Sequence, residues 1–296
     1  MGNMIQKNEF FQDWLFRYQY IYRMRRTDKE KQRFLKSIVT DISQIREDLQ
    51  VIEYNKYKKG ASRNVYVGDI QKADQIICTY YDTPPATLQD YPLFKREEQK
   101  KQVTTFILLT SLCLILVGGM GLFVTQNYLS KGINWNSPLT IALIASYALY
   151  FLILSKVSKG ISSRRTLVRN TSSLLTLLTL MDKLRGTKTA FALLDEGCFG
   201  ESGLNELINN SKKTNQIFYL DGIGSDLALQ AIGPNFEKKQ LAASDISLIS
   251  SEGKINYLFS GQERKDEKMT YIIEKSSLKS KQLNMDNLEK VINYFK

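Results

Sequence analysis

The chain is expected to fold as an α/β protein interrupted by a two-helix transmembrane hairpin. Three observations predict this. Short apolar runs such as QIIC at 75–78, AFALL at 190–194 and IFYL at 217–220 read as buried strands. Segments with apolar residues at three- and four-residue steps separate them and read as helices. Between the two halves lie stretches 103–130, interrupted by nothing charged, and 132–155, equally uncharged.

Taken in order, residues 9–26, EFFQDWLFRYQYIYRMRR, are aromatic and basic and predicted helical. An interfacial helix against the inner leaflet and a helix packed on its own domain both fit this pattern. Asp28 to Gln50 reads as a helix, with Phe34, Ile38, Ile42, Ile45 and Leu49 on one face. Asn64–Asp69 and Gln75–Thr79 read as strands. The runs FILLTSLCLILVGGMGLFV and PLTIALIASYALYFLIL are each close to the roughly 20 residues that a bilayer crossing requires, and predict helices at 104–126 and 138–155.

Beyond the hairpin, Thr171–Leu184 reads as a leucine-rich helix, Ala190–Leu194 as a strand, Leu204–Asn210 as a helix and Gln216–Leu220 as a strand. ISLIS, INYLF and MTYIIE are further strands, and Asp286–Phe295 is a closing amphipathic helix. Strands and helices alternating on both sides of the insertion imply one α/β domain in two parts, 1–102 and 157–296, flanking a hairpin at 103–156.

The formal net charge is +11. Much of it brackets the hairpin: Lys95, Arg96, Lys100 and Lys101 precede it, and Lys156, Lys159, Arg164, Arg165 and Arg169 follow it. The link between the two helices, NYLSKGINWNS, has Lys131 alone. The positive-inside rule then predicts a multi-pass protein of the cell membrane with both termini cytoplasmic. No nucleic-acid motif accompanies the charge, so nucleic acid is not an expected partner. Residues 1–30 do not read as a signal peptide, and MGNMIQ lacks the Ser or Thr of a myristoylation site. Cys78, Cys113 and Cys198 are scattered and fit a reducing compartment.

One stretch raises a question of chemistry. TYYDTPPA, 79–86, ends a strand in two tyrosines and an acid, yet the chain contains no histidine. RNVYVGDIQKADQIICTYYDTP resembles the opening strand pair of the zinc-dependent aminopeptidases of the M28 family. RNTSSLLTLLTL, AFALLDEGCFGESG, IFYLDGIGSD and SSLKSKQLNMDNLEKV resemble that family's later motifs, in the same order. The resemblance implies an M28 aminopeptidase-like mixed sheet with helices on both faces and a two-zinc site at the carboxyl ends of its strands. Carried over residue by residue, it puts Tyr80 at a histidine ligand, Arg169 at the bridging aspartate, Gly197 at the general base and Cys198 at a glutamate ligand. Ser276 falls at the closing histidine, while Asp82 and Asp221 retain the family's acids.

A zinc pair requires imidazole and carboxylate ligands and a base for its water, and a guanidinium repels a dication. These remnants therefore imply a pseudoenzyme with no catalytic residues, no metal and no cofactor. Arg169 is expected to stand in for the lost metal charge by pairing with Asp221 and with Asp82; unrelated surface positions for the three are the alternative. The glycines of DGIGSD read as a turn rather than a phosphate loop, and Cys198 as a packed thiol. The expected role is a non-catalytic, membrane-anchored subunit that forms a homo- or hetero-oligomer. Its partner would be an active zinc peptidase paralogue or a transporter in peptide processing or export. The alternatives are a divergent zinc-independent hydrolase using Cys198 or Tyr80, and a membrane receptor module holding a peptide in the old cleft.

Overall fold

A computed structural model describes residues 9–57, 60–130, 132, 134, 135, 137–198, 200–264 and 270–296. The chain opens with α1 (Glu9–Phe16), a π-helical turn at Arg17–Ile21 and α2 (Asp28–Ile45). Thr27 caps α2: its hydroxyl accepts from the Glu30 N–H, and the Glu30 carboxylate accepts from the Thr27 N–H. Phe11, Trp14 and Tyr18 are buried in the main core, so this segment packs on its own domain. Phe10, Phe16, Tyr20 and Ile21 stay exposed on its other side.

The helix expected to reach Gln50 ends at Ile45. Arg46 turns to extended backbone, and Leu49 begins β1 (Leu49–Tyr57), which pairs antiparallel with β2 (Gly60–Val67). Leu49 continues the helical spacing by coincidence; β1 is a mostly exposed edge strand and lacks the alternation that marks a half-buried one. β3 (Gln75–Tyr80) and β4 (Tyr91–Pro92) precede α3 (Arg96–Leu129) and α4 (Pro138–Ser158).

A second π-helical turn, Leu167–Thr171, leads into α5 (Ser172–Lys183) and β5 (Thr189–Leu194). There follow α6 (Ser202–Asn210), β6 (Gln216–Asp221), β7 (Leu229–Ile232), α7 (Lys238–Ala243), β8 (Ser247–Ser250) and β9 (Asn256–Ser260). The chain closes with β10 (Gln262–Glu263), β11 (Tyr271–Ile273), α8 (Lys275–Leu278) and α9 (Met285–Phe295).

Strands from both sides of the hairpin form one mixed sheet, ordered β1-β2-β5-β3-β6-β9-β7-β8, and β10, β11 and β4 form a small second one. Its centre, β5, β3, β6 and β9, is parallel. β3 lies between β5 and β6, so the segment before the hairpin is locked between two strands that follow it. Alternate side chains serve two cores. Ile77, Phe191, Phe218 and Leu258 face α1, α2, α5 and α9, whereas Ile76, Cys78, Ala192 and Tyr219 face α6. Buried on both faces, these strands read as continuous apolar runs, which is why the sequence reveals them.

α3 and α4 are long and apolar enough to cross a membrane, and none of α3's apolar window and 6% of α4's is buried inside the protein. They are not core helices. They contact each other through tyrosines: Tyr150 donates to the Leu114 carbonyl at 3.0 Å, and the Tyr147 and Thr125 hydroxyls lie 2.8 Å apart. Gly118 makes the first contact possible, since a Cβ there would stand 2.7 Å from Tyr150 Cζ, whereas one at Gly121 would meet nothing nearer than 3.9 Å. The hairpin starts and ends in one place: Ala86 N–H donates to Ile161 O at 2.6 Å and Ser163 N–H to Pro84 O at 3.0 Å. Lys131 lies outside the described residues.

Candidate functional site

The parallel strands end at one edge of the sheet, and loops leaving their carboxyl ends converge there. β3 delivers Tyr80 and β6 delivers Asp221, both fully buried. Both Asp221 oxygens accept a phenol: Tyr80 donates to Oδ1 at 3.2 Å and Tyr91, from β4, to Oδ2 at 2.7 Å. Each phenol in turn accepts from a guanidinium. Arg169 Nε donates to the Tyr80 oxygen at 3.1 Å, and Arg96 Nη1 to the Tyr91 oxygen at 3.3 Å. Two arginine–tyrosine relays thus meet on one carboxylate.

The cluster is further tied by ring stacking and one amide. The Arg169 guanidinium sits 3.8 Å from the Tyr91 ring centre, and Tyr80 stacks on Tyr219, whose hydroxyl accepts from Arg96 at 3.4 Å. Gln99 Oε1 accepts from Arg96 at 3.3 Å and from Arg169 at 3.5 Å, while its amide donates to Pro92 O at 2.6 Å. Arg96 and Gln99 belong to the first turns of α3. The helix that continues into the hairpin is therefore rooted in this cluster.

The expected ion pairs of Arg169 with Asp221 and Asp82 do not form. Among the described residues Arg169 reaches no carboxylate directly; the Tyr80 hydroxyl stands between it and Asp221. Asp82 serves another purpose. Its carboxylate accepts from the Gly197 N–H at 2.8 Å and the Cys198 N–H at 3.2 Å, folding the loop after β5 against the end of β3. Neighbouring Asp195 is paired with Lys31 at 2.5 Å. Burial pushes both Asp82 and Asp221 above the usual carboxylate range, with Lys31 opposing the shift at Asp82 and Arg96 opposing it at Asp221.

The remaining positions show why the chemistry differs. Cys198 is fully buried and donates its thiol to the Asp82 carbonyl at 3.1 Å. Burial, reinforced by Asp82, pushes that thiol well above its ordinary range, and burial with Asp221 does the same for the Tyr80 phenol. Gly197 touches Tyr80: a Cβ at 197 would stand 2.6 Å from Tyr80 Cγ and nearer still to its Cβ. The Tyr80 side chain, from its Cβ outward, occupies the room that any side chain at 197 would need. Ser276 is not part of the cluster; it lies exposed on α8 and donates to Glu274 at 3.0 Å.

The structure thus brings Tyr80, Asp82, Arg169, Gly197, Cys198 and Asp221 to one end of the sheet and leaves Ser276 outside. It adds Tyr91, Arg96, Gln99 and Tyr219, which the sequence does not single out. Arg96 reads there as one more basic residue flanking an apolar helix, and nothing local distinguishes it. The residues do not fit a zinc pair. The chain has no histidine, two guanidinium groups share the cluster, and no three of Cys, Asp and Glu converge as ligands among the described residues.

Beside the cluster opens a cleft of about 350 Å³, into which Arg169, Cys198 and Tyr91 face. Arg164, Arg165, Lys275 and Lys279 line it, with Val103 and Phe106 of α3.

No family model matches the chain, and no curated protein matches it. Solved structures do resemble it. A zinc-dependent exopeptidase from Parabacteroides distasonis superposes with a TM-score of 0.54 at 10% identity, over 97% of both chains. A glutaminyl cyclase from Bacteroides thetaiotaomicron superposes with a TM-score of 0.52 at 9% identity, over 97% of this chain and 93% of the other. The chain thus has the aminopeptidase-like fold, a likeness of architecture at an identity too low to carry activity across.

Proposed function

We propose that this chain is a non-catalytic, membrane-anchored subunit on an exopeptidase-type fold, which binds a partner or a peptide where its relatives in architecture do chemistry. The observation that carries this reading is the pair of arginine–tyrosine relays that meet on Asp221, where a metal site would need ligands. The resemblance puts a metal ligand at 80 and the general base at 197, and here a phenol bonded to Arg169 and a glycine stand in those positions. The Arg169 and Arg96 relays then supply fixed positive charge to Asp221. Neither Cys198 nor Tyr80 offers a ready nucleophile, since burial keeps both protonated, and this weighs against a zinc-independent hydrolase.

Two apolar helices with basic flanks support anchoring in the cell membrane with both termini cytoplasmic. The partner on this reading is an active zinc peptidase paralogue or a transporter in a peptide-handling complex, or a second copy of the chain. The test is to extract the full chain from membranes with mild detergent and assay aminopeptidase and glutaminyl-cyclising activity with zinc supplied. No turnover above a heat-denatured control is expected. Turnover that disappears in Cys198→Ser or Tyr80→Phe would overturn the reading. Co-expression with a candidate peptidase should give one co-eluting species in detergent.

A further inference from the structure

The cluster and the cleft beside it hold more positive charge than they compensate. Two guanidinium groups, Arg96 and Arg169, face the single carboxylate Asp221, through tyrosines rather than by direct ion pairs. Arg169 is 8% exposed and lines the cleft. Its Nε and Nη2 are engaged, while Nη1 makes no hydrogen bond among the described residues. Arg96 Nε is also buried with no partner among the described residues, although Arg96 stands behind Arg169 and does not line the cleft. A buried guanidinium with an unused donor calls for an anion.

The cleft wall agrees. Arg164, Arg165, Lys275 and Lys279 line it together with Arg169, and it includes no Asp or Glu. Its volume, about 350 Å³, is that of a small-molecule site, which runs from about 300 to 1,000 Å³. The other wall comes from α3: Gln99 and Gln102 lead to an apolar pair, Val103 and Phe106, that sits where the uncharged stretch begins. On the reading that α3 enters the bilayer, on which this inference rests, the cleft opens at the level of the lipid headgroups.

We infer that this cleft is a site for the phosphate headgroup of an anionic phospholipid, with the basic wall and Arg169 taking the phosphodiester and Val103 and Phe106 taking the start of the acyl chains. Free phosphate shares the head chemistry but would leave the apolar wall uncovered. A zwitterionic lipid shares the tail but brings its own cation into a wall that is already basic. The old catalytic cleft thus becomes a lipid clamp beside the root of the hairpin.

The test uses the full chain in mild detergent, with dioctanoyl phosphatidylglycerol, dioctanoyl phosphatidylcholine and inorganic phosphate as probes, read by native mass spectrometry and thermal shift. The glycerol lipid should bind at least tenfold more tightly than the choline lipid and raise the melting temperature, and phosphate at the same concentration should do neither. Arg164→Ala with Arg165→Ala, both exposed positions, should weaken the glycerol lipid about tenfold. Lys238→Ala with Lys239→Ala, exposed on α7 away from the cleft, should not. Equal binding of the two lipids, displacement by phosphate, or equal weakening by both double variants would each overturn the site. A chain recovered from the soluble fraction without detergent refutes the anchoring instead, and so separates the two failures.

Discussion

Gly197→Ala is the substitution with the sharpest consequence. The backbone at 197 is not in the left-handed region, so alanine pays no conformational penalty there and the cost is steric. The added Cβ would lie nearest to Tyr80 Cβ and 2.6 Å from its Cγ, both well inside the roughly 3.5–4.0 Å of a relaxed carbon contact. Neither side has room to move. Tyr80 is fully buried, stacked on Tyr219 and hydrogen-bonded to Asp221, and residue 197 is pinned by its N–H to Asp82. Overpacking costs about 1–3 kcal/mol where neighbours can relax, so about 3 kcal/mol or more is expected here. In a Tyr80→Gly background, which removes the clashing Cβ as well as the ring and costs more than the about 3–5 kcal/mol of an aromatic truncation to alanine, the same substitution should be nearly neutral. The double-mutant coupling should therefore reach about 2–3 kcal/mol, at the upper end for residues in contact. Trp14 is buried in the domain core and Trp135 is exposed, so denaturant unfolding followed by tryptophan fluorescence reports the domain. Additive effects of the two substitutions would refute the claim that Tyr80 and a side chain at 197 exclude each other.

Other expectations follow from the same geometry. Tyr91→Phe removes the 2.7 Å bond to Asp221 and should cost about 1–3 kcal/mol, whereas Ser276→Ala should change stability by less than about 0.5 kcal/mol; equal effects would contradict the placement of Ser276 outside the cluster. Burial raises the folded-state affinity of Asp221 for its proton, so its contribution is fully present below the unfolded carboxylate range and is lost as pH rises through the folded value. The stability of the natural chain relative to Asp221→Asn should thus fall with rising pH, and a rising difference would show that the arginines outweigh burial. Elemental analysis after growth with zinc should find well under one zinc per chain; near two would undo the assignment of Tyr80 and Arg169. In the hairpin, Gly118→Leu should break the Tyr150 contact and Gly121→Leu should leave it intact, read as cross-linking yield between cysteines on α3 and α4. Maleimide labelling of intact cells at Asn134→Cys should succeed and at Thr214→Cys should fail, in a Cys113→Ser background; the reverse pattern would invert the topology.

Much of this architecture is written in local pattern. The central strands are buried on both faces and so announce themselves as apolar runs, and the hairpin helices lack charge over lengths that few soluble helices share. What escapes is whatever depends on neighbours distant in sequence. β1 is an exposed edge strand whose pairing with β2, rather than its own composition, makes it a strand. Arg169 is visible as an oddity, but its partner is not. Direct pairing with Asp221 is the simple expectation, and the inserted phenol follows from Tyr80 projecting from the strand between β5 and β6. The contributions of Tyr91, Arg96 and Gln99 depend on β4 and the base of α3 folding back over the sheet end, which no local spacing records.

That folding back gives the cluster a mechanical meaning. Arg96 and Gln99 each lie within the first turns of α3 and each bonds to residues that the sheet or its loops hold rigidly: Tyr219, Tyr91, Arg169 and the Pro92 carbonyl. The other end of the hairpin is fixed by the backbone pairing of 84–86 with 161–163, close to Arg26, which donates to the Gly160 carbonyl at 2.6 Å. Two anchors of different kind thus hold the hairpin, one of buried charged hydrogen bonds and one of main-chain bonds. Charged hydrogen bonds are worth about 1.5–3 kcal/mol each when well formed, but several of those to Arg96 are long, at 3.3–3.4 Å. The first anchor is therefore the one a ligand can tighten: an anion in the cleft meeting Arg169 would act on Arg96 through the Gln99 amide they share and stiffen the base of α3. Arg96→Met should accordingly loosen the base of α3 while leaving the 84–86 to 161–163 pairing protected from hydrogen exchange. Loss of protection at both anchors together would show that they are one cooperative unit and not two.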